Sequence, residues 1–149
     1  MPLKERIADD MKQALRARDE ARLRAIRMLQ AAIQRQEIDT RTTLDDGAVS
    51  ATVQKLIKQS QDALEQFTKG GRDDLVAREK ADIAVWQAYL PEQLGDETLA
   101  QLVADAISET GATSIKDMGK VMGALKAKVQ GRADMAKVSA AVKANLGSP

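Results

Sequence analysis

From Leu3 to Leu146 the apolar residues recur at steps of three and four, and nowhere do they alternate one on, one off. A half-buried strand needs that alternation, whereas steps of three and four gather side chains along one side of a helix. This pattern points to helices packed on helices. The chain holds one Phe, one Trp and one Tyr, so the core must be built from Leu, Ile, Val, Ala and Met. Such a core favours helices over sheets. With 149 residues, 44% apolar and 30% charged, the chain is long enough for one or two small domains and is foldable rather than disordered.

Capping residues and breakers divide the pattern. Leu3, Ile7, Met11, Ala14 and Leu15 make a first stripe, and Asp19 can cap a second helix that buries Leu23, Ile26, Leu29, Ala32 and Ile33. The arginines here, Arg16, Arg18, Arg22, Arg24 and Arg27, mostly fall off the stripe. Asp9, Asp10, Asp19 and Glu20 lie near enough to pair with several, which reads as a solvated face. Thr43 and Asp46 approximate a capping box for a long helix burying Val49, Val53, Leu56, Ile57, Ser60, Leu64 and Phe67, stopped by Gly70-Gly71. A fourth helix from about Asp73 carries Leu75, Val76, Glu79, Ile83, Trp86 and Leu90. Glu79 on that stripe is either at its edge or paired, and Pro91 ends the helix. The acidic pairs Asp45-Asp46 and Asp73-Asp74 sit at helix starts, where they stabilise the positive end of the dipole.

YLPEQLGDE is the best boundary, dividing a domain at 1–91 from one at 95–147. Beyond it, Asp96 reads as a cap for Leu99, Leu102, Val103, Ala106 and Ile107, closed by Gly111. Ser114 and Asp117 approximate a capping box for the next helix, which Gly131 closes. Asp134 caps a last helix burying Val138, Ala141, Val142 and Leu146 before the polar end GSP. In the middle one, Ile115, Met118, Met122, Leu125 and Val129 step by 3, 4, 3 and 4, with Val121 widening the stripe. Its opposite face is unusual: at about 100° per residue, Gly119, Gly123 and Ala127 line up there beside Lys116 and Lys120. An interior glycine costs a helix about 1 kcal/mol relative to alanine. A strip bare of side chains lets another backbone approach between lysines. The same strip equally serves to pack a neighbouring helix of the same domain.

The net charge of +1 conceals a division. Residues 1–41 balance at +3, residues 42–111 at −7 and residues 112–149 at +5. A basic end on a near-neutral protein suggests a polyanionic partner. With no cysteine and no histidine, disulfides, thiol nucleophiles, Cys/His zinc sites and Ser–His mechanisms are excluded. Lys120 is followed by Val121 and no glycine stands at Ser114, so there is no phosphate loop of the Walker kind. The sequence does not look like that of a self-sufficient enzyme, and no catalytic residue, metal or cofactor is expected. No run of about 18 apolar residues is present to span a membrane. The start, MPLKERIADDMK, lacks the apolar core of a secretory signal, so a cytoplasmic protein is expected.

The segments IRMLQAAIQRQEID (26–39), YLPEQL (89–94), TGATSIKDMGKVM (110–122) and GRAD (131–134) carry a resemblance to the YqeY family that runs from Leu3 to Leu146. The C-terminal part of that family is similar to the tail domain of the B subunit of the tRNA-dependent amidotransferase. Met135 departs from the family, where glycine follows GRAD in many relatives. The resemblance implies an all-α fold, an N-terminal helical bundle followed by a small three-helix tail-like domain. It also implies a link to carbon–nitrogen ligases that use glutamine as amide donor. The chain lacks the cradle and the Ser-rich loop that carry that chemistry, so the implied role is binding to tRNA or another structured RNA, beside an amidotransferase or other translation-related protein. The residues expected to make the contact are Lys116, Gly119, Lys120, Gly123, Lys128, Arg132 and Lys137, with Lys126 and Lys143 extending the surface. With few aromatics to stack on bases, recognition is expected to be of shape and phosphates. The alternative is a helical protein-interaction module whose glycine-lined face docks a partner. A true amidotransferase component needing other subunits, and a DNA-binding helix-turn-helix at 115–146, stand behind these.

Overall fold

Short polar side chains and left-handed turns set where each helix begins and ends. In the computed structural model, which describes residues 1–147, the elements are α1 (Leu3–Arg16), α2 (Glu20–Thr40), α3 (Asp46–Lys69), α4 (Asp73–Gln87), α5 (Asp96–Thr110), α6 (Met118–Val129) and α7 (Met135–Leu146). A single 3-10 turn, Ile115–Asp117, leads into α6. The fold is all-α, with no strand among the described residues. Ser148 and Pro149, the end of the GSP tail, lie outside the described residues.

Three aspartates cap helix starts. Asp19 accepts from the Arg22 N–H at 3.2 Å, Asp45 from Ala48 at 2.8 Å and Asp134 from Ala136 at 2.9 Å, each satisfying a donor that the helix leaves unpaired. The Thr43/Asp46 capping box does not form. Asp45 is the cap, and the Asp46 carboxylate instead accepts the Leu3 N–H at 2.9 Å, from the start of α1. Gly95, not Asp96, caps α5, and Asp96 opens its first turn. Half of the Ser114/Asp117 box is present: Asp117 accepts the Thr113 N–H at 3.0 Å, while Ser114 makes no cap bond with its side chain.

Four helices end in the same way, with a residue at positive φ and a hydrogen bond reaching back five residues. Gly71 (φ 68°) and Gly111 (φ 66°) do this after α3 and α5, closed by Arg72 N–H to Phe67 O and Ala112 N–H to Ile107 O. After α1 and α2 the same position is taken by Arg18 (φ 56°) and Arg41 (φ 55°), closed by Asp19 N–H to Ala14 O and Thr42 N–H to Glu37 O. A side chain in this conformation costs roughly 1–2 kcal/mol, because Cβ crowds the following carbonyl.

The chain forms two compact units, Met1–Leu90 and Pro91 onward, each with its own core. In the first, Ile7 and Ala14 of α1, Ala25, Ile26, Leu29 and Ile33 of α2, and Val49, Val53 and Ile57 of α3 close on Ile83, Trp86 and Tyr89. The Trp86 indole N–H donates to the Ala25 carbonyl at 2.8 Å, so the largest buried side chain has its polar atom satisfied. Ser60 donates to Glu79, so that residue is paired and half-buried, meeting both expectations for it. Leu15 does not join the stripe of α1; it is 52% exposed.

The arginine-rich segment is less purely a solvated face than its neighbours suggest. Among the described residues, Arg22–Asp10 at 3.9 Å is the one expected local pair that forms, and Asp19 is engaged as a cap. Arg24 reaches across the unit to Asp82 on α4 at 2.9 Å; that carboxylate is only 2% exposed. Asp10 also accepts the Tyr89 hydroxyl at 2.6 Å, while the Arg6 guanidinium stacks over the Tyr89 ring at 5.0 Å.

Candidate functional site

The second unit is built from three matching stripes: Leu99, Val103 and Ala106 on α5, Val121, Leu125 and Val129 on α6, and Val138, Val142 and Leu146 on α7. Each fully buried Val or Leu contributes roughly 1.5–3 kcal/mol, enough in sum to fix which side of α6 turns inward. The inward stripe is rotated from the one expected from sequence. Val121 is central rather than flanking, Met118 and Met122 are half-buried at the rim, and Ile115, in the 3-10 turn, is 46% exposed. The residues at 121, 125 and 129 repeat every four positions, and that row meets α5 and α7.

With Val121, Leu125 and Val129 inside, Gly119, Gly123 and Ala127 are left facing solvent. A methyl group added at Gly119 or Gly123 would meet no described atom within 4 Å beyond the adjacent backbone of its own helix. The glycines are therefore not there to let a neighbouring helix of this unit pack closely. Lys120 borders the strip, and Lys116 lies in the 3-10 turn that leads into α6; both are exposed. Among the described residues Lys116 forms no ion pair. Lys120 lies near Asp117, whose carboxyl is held below its ordinary value first by the Thr113 N–H, then by the Ser114 N–H and the Lys120 charge.

The other residues named from sequence fall elsewhere. Lys128 is exposed but about 140° around the helix from Gly123. Lys137 is exposed in the first turn of α7. Arg132 is half-buried and partly engaged: its Nε donates to the Glu92 carbonyl at 3.2 Å and its Nη1 to the Lys128 carbonyl at 3.2 Å. The same turn holds the Leu94 N–H on the Arg132 carbonyl at 2.8 Å and the Gln93 amide on the Gly131 carbonyl at 2.8 Å. Arg132 thus fastens residues 92–94 to the turn between α6 and α7. One residue belongs to the strip more closely than Lys128 does. Lys126, exposed and only about 60° from Gly123, borders it on the side away from Lys120. Plotting the sequence at 100° per residue places it there.

Among the described residues no group of three or more His, Cys, Asp or Glu side chains is arranged to hold a metal ion, and no helix is long and apolar enough to cross a membrane. The candidate site is thus a bare helical strip with Lys120 and Lys126 at its two edges and an exposed isoleucine in the turn before it.

The all-α architecture and the motifs agree with what comparison with known proteins finds. The chain belongs to the YqeY family, whose model, described as Yqey-like protein, matches residues 4–146. Among curated relatives, a protein of Pyrenophora tritici-repentis named altered inheritance of mitochondria protein 41, mitochondrial, is 32% identical over 96% of this chain and 80% of its own length. Proteins with the same name from Eremothecium gossypii and Lachancea thermotolerans are 38% identical over 67% of this chain and 56% of the relative, and 31% identical over 89% and 75%. These relatives overturn the expected cytoplasmic location, since each is named as a mitochondrial protein. A charged start without an apolar core does not by itself fix a compartment.

Proposed function

We propose that this chain is a non-catalytic accessory protein that holds tRNA or another structured RNA on the open face of α6. The observation that carries the reading is the solvent-facing glycine strip between lysines, which has no packing partner in its own unit. Two glycines on an exposed helical face lower helix stability, and no described residue packs against them. They let a phosphate backbone come close to the helix while Lys116, Lys120 and Lys126 supply the charge. The +5 balance of residues 112–149 acts in the same direction. The similarity of the C-terminal part to the amidotransferase tail domain supports tRNA as the first RNA to test, with an amidotransferase or other translation-related protein as neighbour. Gly119, Gly123, Lys116 and Lys120 form the centre of the contact, Lys128 and Lys137 lie outside it, and Arg132 acts mainly through the turn it fastens.

A second reading has its own observation. Ile115 is 46% exposed beside the strip, with Met122 at the rim, and an apolar edge along a glycine strip suits a partner helix as well as an RNA. Binding to bulk tRNA at low and physiological salt separates the two, comparing the native chain with Lys116→Glu/Lys120→Glu. The RNA reading predicts salt-sensitive binding that the double substitution removes. Absence of binding at both salt concentrations would reject it in favour of the protein partner.

A further inference from the structure

A different surface, in the first unit, carries an inference that does not depend on the α6 face. α2 turns Ala25, Ile26, Leu29 and Ile33 into its core. Its opposite side is not the polar surface this leads one to expect. Glu20, Leu23, Arg24, Arg27, Met28 and Ala31 line an open groove of about 570 Å³ along it. The same face continues through Arg35 to Ile38 at about 100° per residue. Met28 is 40% exposed and Ile38 67%. Apolar and cationic residues are therefore interspersed along a face that, from Glu20 to Ile38, runs about 27 Å at 1.5 Å per residue.

The charge on this face is arranged rather than mixed. Arg27 and Arg35 form no ion pair among the described residues. Arg24 is held by the buried Asp82 through Nη2, yet its side chain remains 37% exposed at the groove. A guanidinium fixed by a buried carboxylate has already lost much of its rotamer freedom, so less is lost when a ligand binds its outer edge. Glu20 is the one acidic residue in the groove lining, at the amino-terminal end.

Three occupants are conceivable, and the chemistry separates them. A nucleic acid would use the arginines but leave the exposed Met28, Ala31 and Ile38 without partners. A second copy laid antiparallel about Met28 and Ala31 would set Arg24 against Arg35, and like charges across an interface cost affinity. An amphipathic helix with acidic residues flanking its apolar stripe satisfies both halves of the surface, in the manner of a helix laid in a groove.

We propose that the solvent face of α2 is a docking surface for an acidic amphipathic helix of a partner protein. Leu23, Met28 and Ala31 receive its apolar side chains, and Arg24, Arg27 and Arg35 receive its carboxylates. The Glu20 end meets a neutral or basic stretch of the partner.

The test uses the full chain and a panel of fluorescent, helix-favouring peptides with a Leu stripe flanked by Glu, in three registers, each with a scrambled peptide of the same composition. Binding is read by anisotropy. At least one patterned peptide binds and its scrambled form binds at least tenfold more weakly. Met28→Asp and Arg27→Glu/Arg35→Glu each weaken that binding at least tenfold. These positions are exposed, and unchanged urea unfolding confirms that the variants fold. The proposal is overturned if no patterned peptide binds, if scrambled and patterned peptides bind alike, or if Met28→Asp has no effect. It is also overturned if Arg27→Glu/Arg35→Glu abolishes binding to bulk tRNA, which would make the face an RNA site. A concentration-dependent dimer in sedimentation that Met28→Asp dissolves would overturn it by assigning the face to a second copy.

Discussion

Replacing Gly119 and Gly123 with alanine separates a binding strip from a packing strip, because the two roles predict opposite signs for stability. Both glycines lie in α6, at its second and sixth residues, and an added Cβ at either meets nothing within 4 Å. Alanine is favoured over glycine by about 0.8–1 kcal/mol in a helix interior, and somewhat less in the first turn, where Gly119 stands. The pair together is therefore expected to stabilise the second unit by about 1.5 kcal/mol. A unit of this size shifts its melting temperature by roughly 4–8 °C per kcal/mol, so circular dichroism melts and urea titrations should both register the gain. A larger side chain at the same positions, Gly119→Leu/Gly123→Leu, retains most of that gain but covers the strip with two isobutyl groups. It should weaken tRNA binding at least tenfold. If either double variant were destabilised by 1 kcal/mol or more, the strip would be packed in solution and the argument from its openness would fail.

Other expectations follow from the paired and strained side chains of both units. Arg24→Met leaves Asp82 buried with its ion-pair partner gone and is expected to cost about 3 kcal/mol. Asp82→Asn releases an arginine that can turn to water and should cost no more than about half as much in the same urea titration. The reverse order would mean that Arg24, not Asp82, is the trapped charge. Arg18→Gly and Arg41→Gly each relieve a side chain at positive φ and, net of the greater freedom of glycine in the unfolded chain, should each stabilise by about 0.5 kcal/mol in the same urea titration. The Tyr89 hydroxyl is pushed up from its ordinary value of 10.0, first by burial and then by its hydrogen bond to Asp10. A raised folded value means that its contribution is complete below pH 10 and lost as pH rises beyond it. Alkaline unfolding monitored by fluorescence should lose that limb in Tyr89→Phe. At the acid end, Glu37, Asp74 and Asp117 are all held below their ordinary values, through the Lys4 ammonium, the Arg72 guanidinium and the Thr113 N–H respectively. Their contribution is present above the unfolded values of 4.5 and 3.8 and fades as pH falls through them, so an acid titration should show early loss of stability that Glu37→Gln reduces.

What was legible in the sequence is what depends on neighbours close along the chain. Helical period, the aspartate caps at 19 and 134, and the glycine stops at 71 and 111 are properties of a few adjacent residues, and they were readable as such. What was not legible depends on residues brought together from far apart. Asp46 looked like part of a capping box, but its carboxylate is taken by Leu3 N–H, 43 positions away. Arg24 looked solvated because its nearby carboxylates are local, whereas its partner Asp82 lies 58 positions on. Arg18 and Arg41 gave no signal, because a left-handed arginine has no sequence signature comparable to glycine. In the candidate site the wheel placed the glycines on the outward face, yet Ile115 was assigned inward. Sequence spacing treats Ile115 as part of α6, while in the structure it sits in the 3-10 turn, where the angle per residue is larger. The role of Arg132 as a fastener of residues 92–94 also needed the fold, since Glu92 is 40 positions away.

The most direct measurement of the central claim is a map of where tRNA touches the protein, by backbone amide NMR of the labelled chain titrated with bulk tRNA at low salt. The account predicts that shifts and line broadening concentrate on Lys116–Ala127, centred on Gly119 and Gly123, and that they reverse when salt is raised. Perturbation confined to α2 or to α7, or none at all while the protein stays folded, would contradict it.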